Sequence, residues 1–425
     1  MKQIIYELKS QPVVSGVSII GTALAIFLIM VVVMLQQVKV VPFAPESARD
    51  RMLHWRGMSI HYVDGDNNES NAYLSYGAFE SLLLPLKIPE NVTAYSAGTE
   101  AMSANTPNER MYQFDVQQTD HRFFDVFNLH FINGAPYTEA DFESGLPKAV
   151  ITRSVARDLF GTTDAAGREF LLNTAPYTVA GVVDEVSTLA DHAYGQIWIP
   201  FTSTGLQENT WNSELGMLNA TILARSASDF DAIRDEISRV GEALNSQLRE
   251  SKRMEIIWRN RPYTQEKDAV AHWVNMEPDL EKNRKDRMIV FLILLIVPAI
   301  NLSAMTQSRM RRRMEEIAVR RAYGASTWRI ISSLLGENLV TTLIAGAVGL
   351  ALCIVFALLC GPMLFSTMMT TSTIAPKVGM DVLLHWSTFA WAIGFCFVIN
   401  LLCSGLPAWR ASRQSIVNSL FGSTH

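Results

Sequence analysis

Catalytic signatures are missing from this sequence. It holds no Gly-Lys-Ser/Thr phosphate loop, no His-Glu-x-x-His helix, no Cys-x-x-Cys pair and no Gly-x-Ser-x-Gly elbow. That removes the common devices for nucleotide binding, zinc hydrolysis, thiol redox chemistry and serine catalysis. The four cysteines, Cys353, Cys360, Cys396 and Cys403, all lie in the last quarter of the chain. The long middle region therefore has no disulfide framework, and it is large enough to be held by its own core. The eight histidines are scattered, and the close pair His54 and His61 matches no ligand spacing, so both read as polar loop residues. The net charge of -5 argues against nucleic acid as a partner.

Charge is also missing from four long runs: Ser10–Val38, Met288–Ser308, Asn338–Pro376 and Val382–Trp409. About 20 mostly apolar residues cross a bilayer as a helix. The runs predict transmembrane helices at 13–35, 288–307, 330–359 and 386–406. The expected fold is a membrane protein with four transmembrane α-helices, one plus three, and a large α+β extracytoplasmic domain at 36–287 between spans one and two. Lys2 and Lys9 precede the first span, arginines join the second and third, and Arg410 and Arg413 follow the fourth. By the positive-inside rule both termini are cytoplasmic. A short amphipathic segment at 1–12, a coupling segment at 308–329 and a tail at 407–425 then lie inside, with the loop 360–385 outside. The first span is long for a signal peptide and reads as an uncleaved anchor.

The middle region alternates short strands with helices. Strands are expected at Lys148–Thr152, Glu169–Leu172, Tyr177–Val183, Ile197–Phe201, Leu218–Ala224 and Met254–Trp258. Helices are expected at Ser154–Phe160, closed by Gly161, and from an N-cap at Ser228 to about Leu248. Asp64–Asn71 and Gly98–Glu109 read as loops, and the whole suggests two subdomains.

The densest charge lies in Ser308–Ser326, SRMRRRMEEIAVRRAYGAS. Met310, Met314, Ile317 and Arg321 share one side of a helix, and Glu316 sits four residues from both Arg312 and Arg320. Gly324 ends that helix and Ser326 is a natural N-cap for the next. Helix, tight break, helix is a shape suited to receive a push from a soluble partner. A solvated positive-inside loop fits the same spacing.

EEIAVRRAYGAS followed by ISSLLGENL resembles the signature of the FtsX/MacB-type permease family of ABC transporters. The matching positions are Glu316, Ile317, Arg320, Arg321, Ala322, Tyr323, Gly324, Ala325, Ser326 and Glu337. Tyr323 stands where the family more often has an aliphatic residue. Leu406–Ser412 resembles the family's ending, and Thr119–Phe131, Asn133-Gly134, Asp158–Gly161 and Ala180–Val183 resemble its MacB-type outer domain.

The resemblance implies a permease subunit with no catalytic residues and no cofactor of its own. ATP and Mg would belong to a separate cytoplasmic ABC ATPase subunit, docked on Arg312, Glu316, Ile317, Arg320, Arg321, Ala322, Gly324, Ala325 and Ser326. ATP hydrolysis there would move the periplasmic domain for export or efflux, by mechanotransmission. A regulatory scaffold that activates a cell-wall hydrolase without transport is the alternative. Further partners are a second permease chain, in a homo- or heterodimer, membrane lipid and an adaptor in the periplasm. The expected location is the bacterial inner membrane. Small residues in span three offer a dimer seam at Ala345, Gly346 and Gly349, or equally packing within one bundle. Glu337 lies at the inner membrane interface, where it needs a partner such as an arginine of the loop.

Overall fold

The computed structural model describes residues 12–63, 69–107, 109–293, 296, 323–324, 326–364, 389–391, 393–394 and 397–398. They fall into two units: Val38–Glu281 belongs to one, and the segments before Val38 and from Lys282 to Gly361 to the other.

In the first unit the strands are β1 (Met52–Trp55), β2 (Met58–Tyr62), β3 (Glu69–Leu74), β4 (Asn91–Ser96) and β5 (Glu100–Asn105). They continue with β6 (Tyr112–Thr119), β7 (Phe131–Gly134), β8 (Lys148–Thr152), β9 (Glu169–Leu172) and β10 (Ala175–Val183). The last are β11 (Ile197–Pro200), β12 (Leu215–Gly216), β13 (Leu218–Leu223), β14 (Met254–Ile257) and β15 (Tyr263–Thr264). One continuous path runs β11-β8-β10-β9-β5-β6-β4-β13-β3-β2-β14. Pairing is antiparallel except for β8 with β10 and β6 with β11. β13 is central: Ala220 stands opposite Ala94 of β4 on one side and Trp55 of β1 on the other. Its sequence LNATIL is accordingly buried at every position.

Among the described residues the continuous α-helices are α1 (Pro12–Gln37), α2 (Tyr76–Leu82), α3 (Phe123–Val126), α4 (Glu139–Glu143), α5 (Arg153–Phe160), α6 (Phe230–Lys252), α7 (Gln265–Asp268), α8 (280–293) and α9 (Thr327–Leu364). The α5 start is capped by Thr152, and Gly161 closes it in the left-handed region at φ 69°. The α6 entry differs from expectation. Ser226, not Ser228, supplies the capping box, with Asp229 returning the bond, and one 3-10 turn precedes the helix. Ile233, Ile237, Gly241, Asn245 and Leu248 then form one buried stripe. At Gly241 the Trp258 ring lies 2.5 Å from where a Cβ would stand, so only glycine admits this packing.

One core joins α2 and α6 to β1, β2, β13 and β14 through Phe79, Ile237, Trp55, Ile60, Ile222 and Ile256. A second joins α5 to β5, β6 and β8–β11 through Leu159, Met102, Phe114, Ile151, Val179 and Ile197. An aromatic third holds Tyr95, Phe123, Phe127 and Trp198. The loops expected at 64–71 and 98–109 are corrected: Glu69–Leu74 and Glu100–Asn105 are strands. Their polar residues conceal the signal, because only alternate positions such as Met102 and Ala104 reach the core.

In the second unit, two helices among the described residues are long and apolar enough to cross a membrane, in the windows Ile19–Gln37 and Leu339–Leu359. Their packing uses small residues. A Cβ on Gly349 would lie 2.8 Å from the Ala23 carbonyl oxygen of α1, and one on Gly346 would lie 3.0 Å from Ile393. Ile26, Ile29, Met30 and Cys353 form the buried seam, and Phe27 meets Phe356 edge-on at 5.5 Å. With 38 residues, α9 is about 57 Å long, well beyond a hydrocarbon core of about 30 Å.

Candidate functional site

The first unit is entered just after α1 and left at the start of α8. The segments at those two ends meet in one buried polar joint. At the entry, Arg49 is inaccessible and uses its whole guanidinium. Its Nε donates to Glu46 at 2.6 Å, Nη1 to the Val38 carbonyl at 2.7 Å and Nη2 to the Leu189 carbonyl at 2.7 Å. The group also lies 4.2 Å over the Phe43 ring. The other Glu46 oxygen accepts from the backbone of His192 at 2.9 Å and Ala193 at 3.0 Å. A buried ion pair is expensive to desolvate, and here each partner is repaid by further hydrogen bonds.

At the exit, α7 contributes Gln265 and Asp268. Gln265 Nε2 donates to the Lys39 carbonyl at 2.8 Å, which turns its Oε1 toward His54 Nε2 at 2.7 Å. His54 therefore carries its hydrogen on Nε2 and accepts at Nδ1 from Thr221 at 3.1 Å. Thr221 meets the Tyr95 hydroxyl at 2.9 Å, and Tyr95 meets His192 Nδ1 at 2.7 Å. His192 Nε2 faces Asp268 Oδ2 at 3.0 Å. The bonds run in one direction from Thr221 to His54, to Gln265, to the Lys39 carbonyl, and His192 joins this chain at the Tyr95 hydroxyl, with Arg56 Nη2 3.2 Å from its Nε2. The two imidazoles stack with centroids 3.7 Å apart and planes 4° from parallel.

Charges converge on the same place. Arg56 bridges Asp268, Nε to Oδ2 at 3.0 Å, and Asp191. Burial alone would raise the Asp268 carboxyl, but Arg56 and His192 beside it hold it well below the usual carboxylate range. Burial, then His192, pushes His54 well below the ordinary histidine value, so it stays neutral. Burial raises the Tyr95 phenol and keeps it a donor. The centre of the cluster is closed to solvent, with His54, Thr221, Tyr95, His192 and Asp268 all buried, and only Arg56 and Asp191 reach its edge. Among the described residues no group of histidines, cysteines and carboxylates is arranged to hold a metal. The arrangement is a tie between the chain's two exits and the middle of the sheet.

The MacB-like periplasmic core domain matches residues 15–240, and the FtsX-like permease C-terminal domain matches residues 288–416. This chain belongs to the FtsX/MacB-type ABC transporter permease family. It is thus an inner-membrane ABC transporter permease with a large periplasmic domain. The uncharacterized ABC transporter permease YknZ of Bacillus subtilis is 21% identical over 373 residues, 85% of this chain and 84% of its own length. MacB of Wolinella succinogenes, a macrolide export ATP-binding/permease protein, is 24% identical over 311 residues, 72% of this chain and 43% of its own length. PvdT of Pseudomonas syringae, a pyoverdine export ATP-binding/permease protein, is 23% identical over 370 residues, 86% of this chain and 51% of its own length. The chain spans about half the length of these two ATP-binding/permease relatives. The crystallised extracellular domain of YknZ aligns with 48% of this chain and all of its own, at 18% identity and a TM-score of 0.33.

Of the permease's sequence-predicted docking residues, Arg312, Glu316, Ile317, Arg320, Arg321, Ala322 and Ala325 lie outside the described residues. Gly324 sits in a turn at φ 86°, a conformation that favours glycine, and Ser326 directly precedes the first residue of α9. Glu337 is a backbone position of α9. Ala345, Gly346 and Gly349 are all buried within this chain, the two glycines against Ile393, Ile26 and Ala23. The reading of His54 and His61 as polar loop residues is corrected: His54 is buried in β1 and His61 lies in β2, and sequence reasoning did not foresee the joint. The one available signal was His54 inside the apolar run Met52–Trp55, since a polar side chain there must find a buried partner.

Proposed function

We propose that this permease transmits force. A separate cytoplasmic ABC ATPase, carrying the ATP and Mg, docks on Arg312, Glu316, Ile317, Arg320, Arg321, Ala322, Gly324, Ala325 and Ser326. Its cycle shifts that elbow and α9, and four membrane spans carry the motion to the periplasmic domain. Both termini are placed in the cytoplasm, and the boundaries are those read from the charge-free runs. The permease works as a dimer with a second permease chain, identical or related. Ala345, Gly346 and Gly349 would set the close helix packing beneath that seam, and the outward residues Ile344, Val348 and Val355 would meet the partner. Glu337 pairs with an arginine at the inner interface. The purpose is export, as the names of the MacB and PvdT relatives say of those proteins.

The observation that carries this reading is the joint. A motion arriving along α1 or α8 acts on the periplasmic sheet only if the segments after Gln37 and before residue 280 are rigidly tied to it. Lys39 is held by Gln265, Val38 and Leu189 by Arg49, and β1 by His54. Replacing Arg320 and Arg321 by Glu should abolish recovery of the ATPase when the solubilised permease is purified. Undiminished recovery would contradict the docking.

A further inference from the structure

The strip that follows α7 is built to hold two large apolar side chains outward. Val274 is its anchor: the side chain fills the space above Gly57, 2.5 Å from where a Cβ would stand. Its carbonyl accepts from Arg261 Nη2 at 2.7 Å. Glu277 is clamped by Asn260 at 2.9 Å and by Lys267 at 2.5 Å. Beside these fixed points, each directly preceding one of them, Trp273 is 70% exposed and Met276 61% exposed. A tryptophan held open to water on a fixed loop forgoes a large burial energy, so something apolar is expected to cover it.

The position of the strip in the chain says what does. It follows Gln265 and Asp268 at once, and Gln265 holds the carbonyl of Lys39, two residues past the end of α1. In the other direction α8 begins four residues after Met276, and the apolar run from Met288 starts about 12 Å further along that helix. The stretch from Glu277 to Arg287 carries Lys282, Arg284, Lys285 and Arg287 against Glu277, Asp279, Glu281 and Asp286, so it is strongly polar with no net charge, a wet connection between the strip and the apolar run. Tryptophan is the residue that settles at the level of lipid headgroups, its ring apolar and its N–H wet.

We propose that Trp273 and Met276 insert into the outer headgroup layer of the membrane and seat the periplasmic domain on the bilayer. The proposal needs only the periplasmic placement of Val38–Glu281. It does not need docking of an ATPase, so its failure would leave the force-transmission reading standing.

The test uses the full chain in lipid nanodiscs. Tryptophan fluorescence is recorded with nitroxide on the lipid headgroup or deep on the acyl chain, for the wild type, Trp273→Phe and Trp211→Phe. Trp211 is 63% exposed on a different loop and serves as the control. The Trp273 difference spectrum should be quenched at least twofold more by the headgroup probe than by the deep probe. The Trp211 difference spectrum should respond to neither. Moving the reporter, with Met276→Trp in the Trp273→Phe background, should restore the headgroup quenching. A Trp273 component indifferent to both probes, or matching Trp211, would overturn the proposal. So would shielding of Trp273 from aqueous iodide without any lipid quenching, the outcome for a protein partner.

Discussion

The polar joint and the α1–α9 seam fix helices and strands by opposite means. In the joint, the contacts are hydrogen bonds and ion pairs among His54, Tyr95, His192, Thr221, Gln265 and Asp268, with little room for error in direction. In the seam the contacts are close and apolar: Gly349 brings the Ala23 backbone close, and Ile26 and Cys353 pack beside it. In water-facing domains, burial drives packing, and a polar network then selects one geometry. Between membrane spans, burial gives no drive, so close approach of small residues is what holds them. Sliding can be tolerated at the seam and hardly at all at the joint, which is what the proposed transmission of force would require of the two places.

The comparison can be broken most severely at Asp268. Asp268→Ala leaves Arg56 and His192 facing an uncompensated buried site and should cost about 3–5 kcal/mol. It should appear as a large drop in the melting temperature of the detergent-solubilised permease, with the secondary structure retained in the cold. At the seam, Gly349→Leu forces side-chain atoms into the Ala23 carbonyl and should cost about 1–3 kcal/mol. Leu343→Met, at an exposed position of α9 outside the proposed partner contact, should change the melting temperature little. A third change lies in the periplasmic core, where Gly241→Ala meets Trp258 and should cost about the same as the seam variant, read by denaturant midpoint.

The smallest effect is in pH. His54 is held below its ordinary value of about 6.5. Below that pH the unfolded chain takes up a proton the folded chain refuses, so His54 lowers stability as pH falls. Asp120 acts in reverse. Burial raises its carboxyl to about 7, against the bonds it accepts from Thr93 and Ala94. The folded chain holds that proton more tightly, so Asp120 adds stability as pH falls from about 7 toward about 4. Melts between pH 7 and 5 should show Asp120→Asn losing more stability on acidification than the wild type, and His54→Gln losing less.

These regions also differ in how far the sequence disclosed them. The strands Lys148–Thr152 and Glu169–Leu172 and the helix ended by Gly161 are local events, set by alternation, caps and a glycine, and they are readable from a short window. β3 and β5 are not, because ESNAYL and EAMSAN are stabilised by neighbours brought from elsewhere. The charge-free run around α1 is plain in the sequence, and so are the small residues of α9. The joint was illegible for a simple reason: His54 meets Thr221 and Gln265 at separations of 167 and 211 residues. No periodicity spans such distances. The family signature pointed instead to the arginine elbow, whose Gly324 turn and following helix are described while its arginines are not.

The central claim is that motion crosses from membrane helices to periplasmic sheet through the joint. Gln265→Leu removes its bonds to the Lys39 carbonyl and to His54 while leaving the elbow untouched. In the purified complex with its ATPase, spin labels on the periplasmic domains of the two permease chains report their separation with and without ATP. The wild type should show an ATP-dependent shift, and Gln265→Leu should hydrolyse ATP at an undiminished rate with that shift lost. A full-sized shift in the variant would contradict the account.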